Sequence, residues 1–124
     1  MDQRALVLLH AESLAEHGGL WSLRDEAALE SALARPKNVF AYERGVDVAR
    51  LAAAYGFGLI RGHPFNDGNK RAGFLAIGLF LQLNGFEFEV QEVDAVKTIV
   101  DLAAGNLSEK AFAEWIRART TRRK

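Results

Sequence analysis

The chain has 124 residues, no cysteine, and 16 basic against 16 acidic residues, which gives a formal net charge of zero. Zero net charge excludes a whole-molecule field that would favour nucleic acid or membranes, and the lack of cysteine excludes disulfides, thiol nucleophiles and cysteine metal sites. We predict one domain over residues 1–124, and the cytoplasm is its expected location because a chain without cysteine suits a reducing compartment.

The first part of the chain predicts two helices. The first ends at Gly18-Gly19, a natural C-terminal stop. Its apolar face is formed by Leu6, Leu9 and Leu14. Ser22 followed by Asp25 resembles a capping box that opens a second, short helix, and we predict that this helix closes before Pro36. The first residues lack the pattern of a signal peptide, so we expect no export.

The middle of the chain predicts two further helices joined by a loop. Asp47 is suited to cap a third helix, which continues through Leu59 and leads into the loop that begins at His63. A fourth helix, over residues 69–84, is apolar on every face, so we predict that it is the central, buried helix. Its longest apolar run, residues 72–81, is roughly half of what a bilayer span needs.

The last third of the chain predicts a short extended segment and two helices. Apolar and acidic residues alternate near 86–90, and helices near 93–104 and 108–120 follow, the second with Ser108 as its cap. The basic end, residues 117–124, contains no acid, but no aromatic residues interleave with its cations, and cations favour a helix C-terminus. We therefore predict no direct contact with nucleic acid.

The most informative stretch is the run His63-Pro64-Phe65-Asn66-Asp67-Gly68-Asn69-Lys70-Arg71, which leads into the fourth helix. A helix N-terminus presents unpaired backbone N–H groups and a partial positive charge, so anions bind there. Two cations at the same place strengthen that preference. The run therefore predicts a phosphate-handling active site.

Four residues of the run each suit one task in such a site. Histidine titrates near neutrality, so His63 can take a proton from an attacking hydroxyl and is the candidate general base. Asp67 is the candidate magnesium ligand, because Mg²⁺ is usually held by one or two carboxylates together with phosphates and waters. Gly68 can adopt a positive φ that lets N–H groups converge on an anion, and Asn69 can cap the helix or donate an amide hydrogen bond.

The two cations complete the predicted site. Arg71 offers a planar fork for bidentate phosphate contact, whereas Lys70 is a compact point charge on a flexible stem. Each residue of the run also has a structural reading on its own: His63 as a cap, Asp67-Gly68 as a turn, and the two cations as a solvated helical turn. Cations in a first turn oppose the helix dipole, however, and a bound anion would remove that conflict.

The run resembles the signature of the Fic superfamily, His-Pro-Phe-x-(Asp/Glu)-Gly-Asn-x-Arg. It is more similar to the death-on-curing toxin branch, because Lys70 stands where the adenylyl-transferring members usually carry glycine. Gly18-Gly19-Leu20, residues 25–36 and Phe40-Ala41-Tyr42-Glu43 also resemble that branch, so the similarity covers most of the chain. The resemblance implies an all-α fold, a Fic-like helical bundle whose central buried helix follows the loop, with a short extended segment near 86–90.

For the death-on-curing branch, the resemblance implies a toxin of a toxin–antitoxin pair that acts as a protein kinase. It would transfer the γ-phosphate of ATP to a threonine of elongation factor Tu and so stop translation. His63 would accept the hydroxyl proton and Asp67 would hold Mg²⁺. The nucleotide phosphates would be bound by Gly68, Asn69, Lys70 and Arg71. Two alternatives stay open: an adenylyl or other nucleotidyl transferase that uses the same residues, and a catalytically idle module that acts through its antitoxin.

The resemblance also implies how such a toxin is controlled. Many Fic relatives block themselves with a helix that carries Ser/Thr-x-x-x-Glu-Gly/Asn. Ser22 and Glu26 have this spacing here, but Ala27 follows, so the chain lacks a good copy. We therefore expect inhibition by a separate antitoxin protein, a segment of which would occupy the groove beside the motif as an amphipathic helix.

Substrate docking has weaker signals in the sequence. Residues 38–44 are the expected counterpart of the flap that aligns protein substrates in the family. Two aromatic residues of this region, Phe40 and Tyr42, fit either contact with a target or core packing. Arg61, just ahead of the motif, fits either a phosphate contact or structural pairing.

Overall fold

The computed structural model describes residues 23–123, which form five helices and two short strands. The helices are α1 (Glu26–Tyr42), α2 (Val48–Gly62), α3 (Asn69–Leu83), α4 (Glu92–Ala103) and α5 (Glu109–Ala118), and the strands are β1 (Phe86–Phe88) and β2 (Thr120–Arg122). The predicted all-α class is confirmed. The first predicted helix, with Gly18-Gly19 and Ser22, lies outside the described residues, and the single domain over residues 1–124 stays a prediction.

Helix α1 is longer than its sequence pattern predicts. Its N-cap is Asp25, whose Oδ1 accepts a hydrogen bond from the Ala28 N–H at 3.0 Å. The helix then continues past Pro36, so the prediction that it closes before this residue is wrong. Pro36 is buried, and a Cβ placed on Gly58 of α2 would lie 3.0 Å from the Cα of Ala32, one turn before the proline. Close packing of α1 on α2 therefore offsets the hydrogen bond that proline cannot donate.

Helices α2 and α3 pack together through glycines, and this contact sets where the loop between them lies. A Cβ on Gly56 would come within 2.6 Å of the Ile77 side chain, and one on Gly73 within 2.5 Å of Ile60. Larger residues at these two positions would force the helices apart. Eight residues of α2 and six of α3 are buried, so α2 is the more enclosed of the two within residues 23–123.

Two predicted helix caps are confirmed. Asp47 Oδ1 accepts from the Arg50 N–H at 2.9 Å at the start of α2. Ser108 Oγ accepts from the Ala111 N–H at 3.0 Å at the start of α5. Both side chains satisfy a backbone donor that has no partner within its helix.

The two strands form a small antiparallel sheet at the end of the described chain. Phe86 pairs with Arg122 and Phe88 with Thr120. Strand β1 lies where the extended segment near 86–90 is predicted, whereas β2 is missed because its polar residues lack an alternating pattern and its first residue falls in the helix predicted to end near 120. None of the helices in the described part of the chain has the length and apolar character that crossing a membrane requires.

Candidate active site

The loop over residues 63–68 joins the carboxyl end of α2 to the amino end of α3. His63 is the C-cap of α2 and has φ 49° and ψ 54°, which is the left-handed region. Among the described residues, His63 is the one non-glycine residue with a positive φ. A non-glycine residue in this region costs about 1–3 kcal/mol and persists only where its surroundings hold it. The loop therefore strains the residue that is predicted to be the general base.

The side chain of Asn69, the first residue of α3, closes the loop on itself. Its Oδ1 accepts from the Phe65 N–H at 2.9 Å, and its Nδ2 donates to the Phe65 carbonyl oxygen, also at 2.9 Å. Asn69 is buried, and the Phe65 ring is anchored in the core with 1% of its surface exposed. Two roles were predicted for this side chain, capping the helix or donating an amide hydrogen bond. The structure shows the second, and the amide donates to the loop itself. Its contact with phosphate stays a prediction.

The same amide orients the imidazole of His63. Asn69 Nδ2 lies 3.3 Å from His63 Nδ1. The two bonds to Phe65 fix which end of the amide is the nitrogen, so the group that faces Nδ1 is an N–H donor. Nδ1 therefore accepts, and the neutral ring carries its proton on Nε2 while this contact is made.

A second hold on the loop comes from residues 23–25, just before α1. Leu23 forms an antiparallel bridge with Phe65, and the backbone N–H groups of Arg24 and Asp25 both donate to the Pro64 carbonyl, at 2.8 and 3.0 Å. The Arg24 side chain adds its own bonds: Nε donates to the His63 carbonyl oxygen at 2.8 Å, and Nη2 donates to the same oxygen. Sequence reasoning missed Arg24, although a cation directly ahead of a helix N-cap opposes the dipole and is a signal of another partner.

The amino end of α3 is open to a ligand. Its N-cap is Gly68, without a side-chain cap, and the Ala72 N–H donates to the Gly68 carbonyl at 2.8 Å, so the earlier N–H groups of the first turn have no acceptor within the helix. Asp67 Oδ1 accepts from the Gly68 N–H at 2.8 Å, and Lys70 and Arg71 lie in the first turn. The structure thus brings the predicted carboxylate, both cations and the helix end together, an arrangement that favours an anion.

The profile of the Fic/DOC family matches residues 1–81, a range that contains α1, α2, the strained loop and most of α3. The chain belongs to the Fic/DOC family. This membership confirms the resemblance carried by the run His63-Pro64-Phe65-Asn66-Asp67-Gly68-Asn69-Lys70-Arg71.

Two relatives extend the similarity beyond the matched range. The chain is 33% identical over 113 residues to the protein kinase doc of Escherichia phage P1, covering 90% of this chain and 88% of the relative. It is 36% identical over 102 residues to the toxin Doc of Mycolicibacterium smegmatis, covering 78% of this chain and 75% of the relative. Both names belong to the death-on-curing branch, which confirms that part of the prediction too.

A groove of about 540 Å³ leads away from the first turn of α3 in this Fic/DOC domain. Lys70 and Arg71 line one part of it, and most of the remaining lining is apolar and comes from Phe74 of α3 and one side of α4. The α4 residues Val96 and Val100 stand on its rim with 58% and 48% of their surface exposed. The two cations of the site therefore lie at one end of a groove whose remaining lining is mostly apolar.

Arg61 has a structural role in the described fold. Its Nη1 donates to the carbonyl oxygens of Leu102 and Ala103, at 3.4 and 3.3 Å. These carbonyls belong to the last turn of α4, whose acceptors have no donor within their own helix. Of the two readings left open for Arg61, structural pairing is the one that the structure supports.

Residues 38–44 do not lie beside the loop, so the prediction that they form the substrate-aligning flap is wrong. They end α1 and begin the connection to α2, and Glu43 pairs with Arg50 near the amino end of α2 at 2.8 Å. His63 lies at the other end of this 15-residue helix, roughly 22 Å away. Phe40 and Tyr42 are 68% and 86% exposed, so neither packs in the core of the described residues.

Proposed function

We propose that this member of the Fic/DOC family is the toxin of a toxin–antitoxin pair and acts as a protein kinase. The reaction transfers the γ-phosphate of ATP to a protein hydroxyl, with a threonine of elongation factor Tu as the target, and so inhibits translation. One observation carries the proposal: the strained His63 contacts Asn69 next to an uncapped helix N-terminus with Lys70 and Arg71 in its first turn. The names of the two relatives, a protein kinase and a toxin, support the activity and the role.

The transfer step exchanges one phosphorus–oxygen bond for another. The oxygen of the substrate hydroxyl bonds to the γ-phosphorus, the bond from that phosphorus to the β,γ-bridging oxygen breaks, and ADP leaves with the electron pair. The hydroxyl proton passes to the imidazole of His63. Phosphoryl transfer requires positioning and charge neutralisation more than covalent chemistry, so a loop of donors at a helix end is sufficient machinery.

His63 must present an unprotonated ring nitrogen to the substrate hydroxyl. The Asn69 contact favours a proton on Nε2, so a base at Nε2 requires the other tautomer. The contact is long at 3.3 Å and His63 is exposed to water, so losing it costs about 1 kcal/mol, a typical net value for a hydrogen bond. A cost of about 1 kcal/mol lowers the rate roughly fivefold, which is small compared with the roughly 10²–10⁴-fold increase in rate that general-base catalysis contributes.

The first turn of α3 supplies the proposed phosphate site. The N–H groups of this turn that follow Gly68 donate to phosphate oxygens, and Lys70 and Arg71 add full positive charges, whereas the Gly68 N–H is bonded to Asp67 Oδ1 and Gly68 shapes the turn. Asn69 contributes its backbone N–H, while its side chain is occupied with the loop. Charge that develops on the leaving ADP is thus neutralised where the helix dipole already favours it.

Asp67 fits the predicted role in holding Mg²⁺. Its carboxylate is exposed next to the proposed phosphate site, and Mg²⁺ prefers one or two carboxylates together with phosphate oxygens and water. No group of three or more His, Cys, Asp or Glu side chains within residues 23–123 has the arrangement of a metal site. Asp67 would therefore share the ion with the phosphates of ATP, and the bound ion would help to neutralise their charge.

A cognate antitoxin is the proposed partner that controls this activity. The groove beside the loop suits an amphipathic helix, because its apolar lining from Phe74, Val96 and Val100 is flanked by Lys70 and Arg71. An acidic residue on such a helix would pair with these cations and compete with phosphate for them.

Mass spectrometry of the protein substrate tests the proposed reaction. The purified chain, bacterial elongation factor Tu, Mg²⁺ and ATP are incubated together, with His63→Ala as the control. We expect the factor to gain one phosphate, about 80 Da, only with the unmodified chain.

A gain the size of AMP would contradict the kinase and establish an adenylyl transferase that uses the same residues. If neither elongation factor Tu nor any protein of a bacterial lysate gained mass, the enzymatic proposal would fail. A chain that still bound its antitoxin would then be an idle regulatory module.

A further inference from the structure

We infer that Arg24 is a positioning residue for His63. The Arg24 guanidinium keeps the backbone of His63 in the strained left-handed conformation. The inference rests on the proposed function in that His63 is taken as the base. Arg24 lies outside the run over residues 63–71, 39 positions before His63 in the chain. It would act on the reaction only through the backbone of His63.

The geometry of the contact supports this role. Arg24 Nε and Nη2 both donate to the His63 carbonyl oxygen, and Nη2 also lies 3.4 Å from the Gly62 carbonyl oxygen. These carbonyls stand at the carboxyl end of α2, where the helix leaves acceptors without donors and carries a partial negative charge. A fork of guanidinium donors fits the two neighbouring carbonyls of Gly62 and His63, which this turn of the chain brings together.

Two separate holds therefore act on His63. Arg24 fixes its backbone, and Asn69 contacts its ring at Nδ1. A left-handed histidine has no steric preference for that conformation, so without the guanidinium its φ can shift from 49° as far as the remaining bonds to Pro64 and Phe65 allow. The ring would then leave the position in which Asn69 and the end of α3 flank it.

Replacing Arg24 is also a clean perturbation. The side chain is exposed, so truncation opens no cavity in the core. The bonds from the Arg24 and Asp25 N–H groups to the Pro64 carbonyl are made by the backbone and persist in any variant that keeps an N–H. The contacts of the guanidinium are to residues 62–63, away from the proposed phosphate site at residues 67–71.

Kinetics of Arg24→Ala and Arg35→Ala test the inference. Arg35 is a matched control, because it also lies at the α1 side of the domain and bonds Glu109 of α5 rather than the loop. We expect Arg24→Ala to lower kcat about 10²-fold, the scale of a misplaced catalytic group. The KM for ATP should stay within about twofold, because the phosphate site is untouched.

Added guanidinium ion should restore part of the kcat of Arg24→Ala, since this variant leaves the carbonyls at the end of α2 without their donor. Arg24→Lys should restore little, because an ammonium cannot reproduce the fork. If kcat of Arg24→Ala stayed within about twofold of the Arg35→Ala value, Arg24 would have no positioning role.

A conformational readout separates this inference from the proposed function. The Cα and Cβ chemical shifts of His63 report its backbone conformation without any substrate. They should change in Arg24→Ala and remain as in the unmodified chain in Arg35→Ala. Unchanged shifts in Arg24→Ala would overturn the inference even if the chain is a kinase, whereas a chain that phosphorylates nothing would refute the proposed function and leave the shift test standing.

Discussion

The two ends of helix α2 use charged side chains in different ways. Toward its amino end, charges pair with one another: Glu109 of α5 contacts both Arg35 and Arg50, and Arg117 contacts Asp47 at 2.6 Å. These pairs tie α1, α2 and α5 together. The charged side chains named here at this end of α2 therefore have partners within the fold.

At the carboxyl end of α2, polar side chains form hydrogen bonds with the backbone instead. Arg24 and Asn69 bond to the backbone of the loop, and no ion pair within residues 23–123 involves Asp67, Lys70 or Arg71. The backbone there is strained at His63, and like charges stand together in the first turn of α3. The contrast teaches that the charges at one end of the helix stabilise the fold through ion pairs, whereas those at the other end form none within residues 23–123 and stand beside a strained backbone.

The largest expected effect is at His63. His63→Ala and His63→Gly should both lower kcat about 10²–10⁴-fold, because the general base is lost. Glycine tolerates a positive φ and alanine does not, so the glycine variant should be the more stable of the two by roughly 1 kcal/mol. Kinetics and urea unfolding of both variants measure the two effects, and equal stabilities would mean that residue 63 carries no strain.

Arg71 should affect ATP binding and, because it helps to neutralise the charge on the leaving ADP, it should also affect the chemical step. Arg71→Ala should raise the KM for ATP about 10–100-fold, the loss expected for a charged hydrogen bond to phosphate. Arg122→Ala, a cation on β2 that stacks over the Phe86 ring, is the control and should leave KM unchanged. Steady-state kinetics over a range of ATP concentrations decide the matter, and an unaltered KM for Arg71→Ala would move the phosphate site elsewhere.

Glu109 should affect stability alone. Its side chain is only 13% exposed and bonds two arginines, so Glu109→Gln should lower the free energy of unfolding by about 2 kcal/mol. The folded fraction should keep the kcat of the unmodified chain. Urea unfolding and kinetics on the same preparation test this, and a loss of kcat in folded protein would show that the two ends of α2 are coupled.

The smallest expected effect is the pH dependence at Asp47. The hydrogen bond from Arg117 lowers the pKa of the Asp47 carboxyl below its ordinary value. A lowered folded-state pKa contributes stability above the unfolded-state pKa of about 4, and this contribution is lost as the pH falls further. The stability difference between the unmodified chain and Asp47→Asn should therefore shrink from pH 7 to pH 3. If the stability difference between the two proteins grew as the pH fell, the pKa of Asp47 would not be lowered in the folded state.

The sequence predicts those parts of the site and the fold that depend on local order. The run over residues 63–71 names the loop residues, and helix periodicity with Asp47 and Ser108 as caps places most of the helices. These features depend on residues close together in the chain, where spacing and residue type are sufficient.

Features that depend on contacts between distant residues escaped prediction. Arg24 reaches His63 across 39 positions, α1 passes Pro36 because α2 packs against it, and β2 exists because β1 is its neighbour. Tertiary packing decides each of these cases.

Transfer of radioactive label from ATP tests the central claim most directly. Elongation factor Tu is incubated with the chain and Mg²⁺, using ATP labelled at the γ-phosphate in one series and at the α-phosphate in the other, each with a His63→Ala control. We expect label on the factor from γ-labelled ATP only, and none with His63→Ala. Label from α-labelled ATP, or γ-label that persists without His63, would contradict a kinase built on this loop.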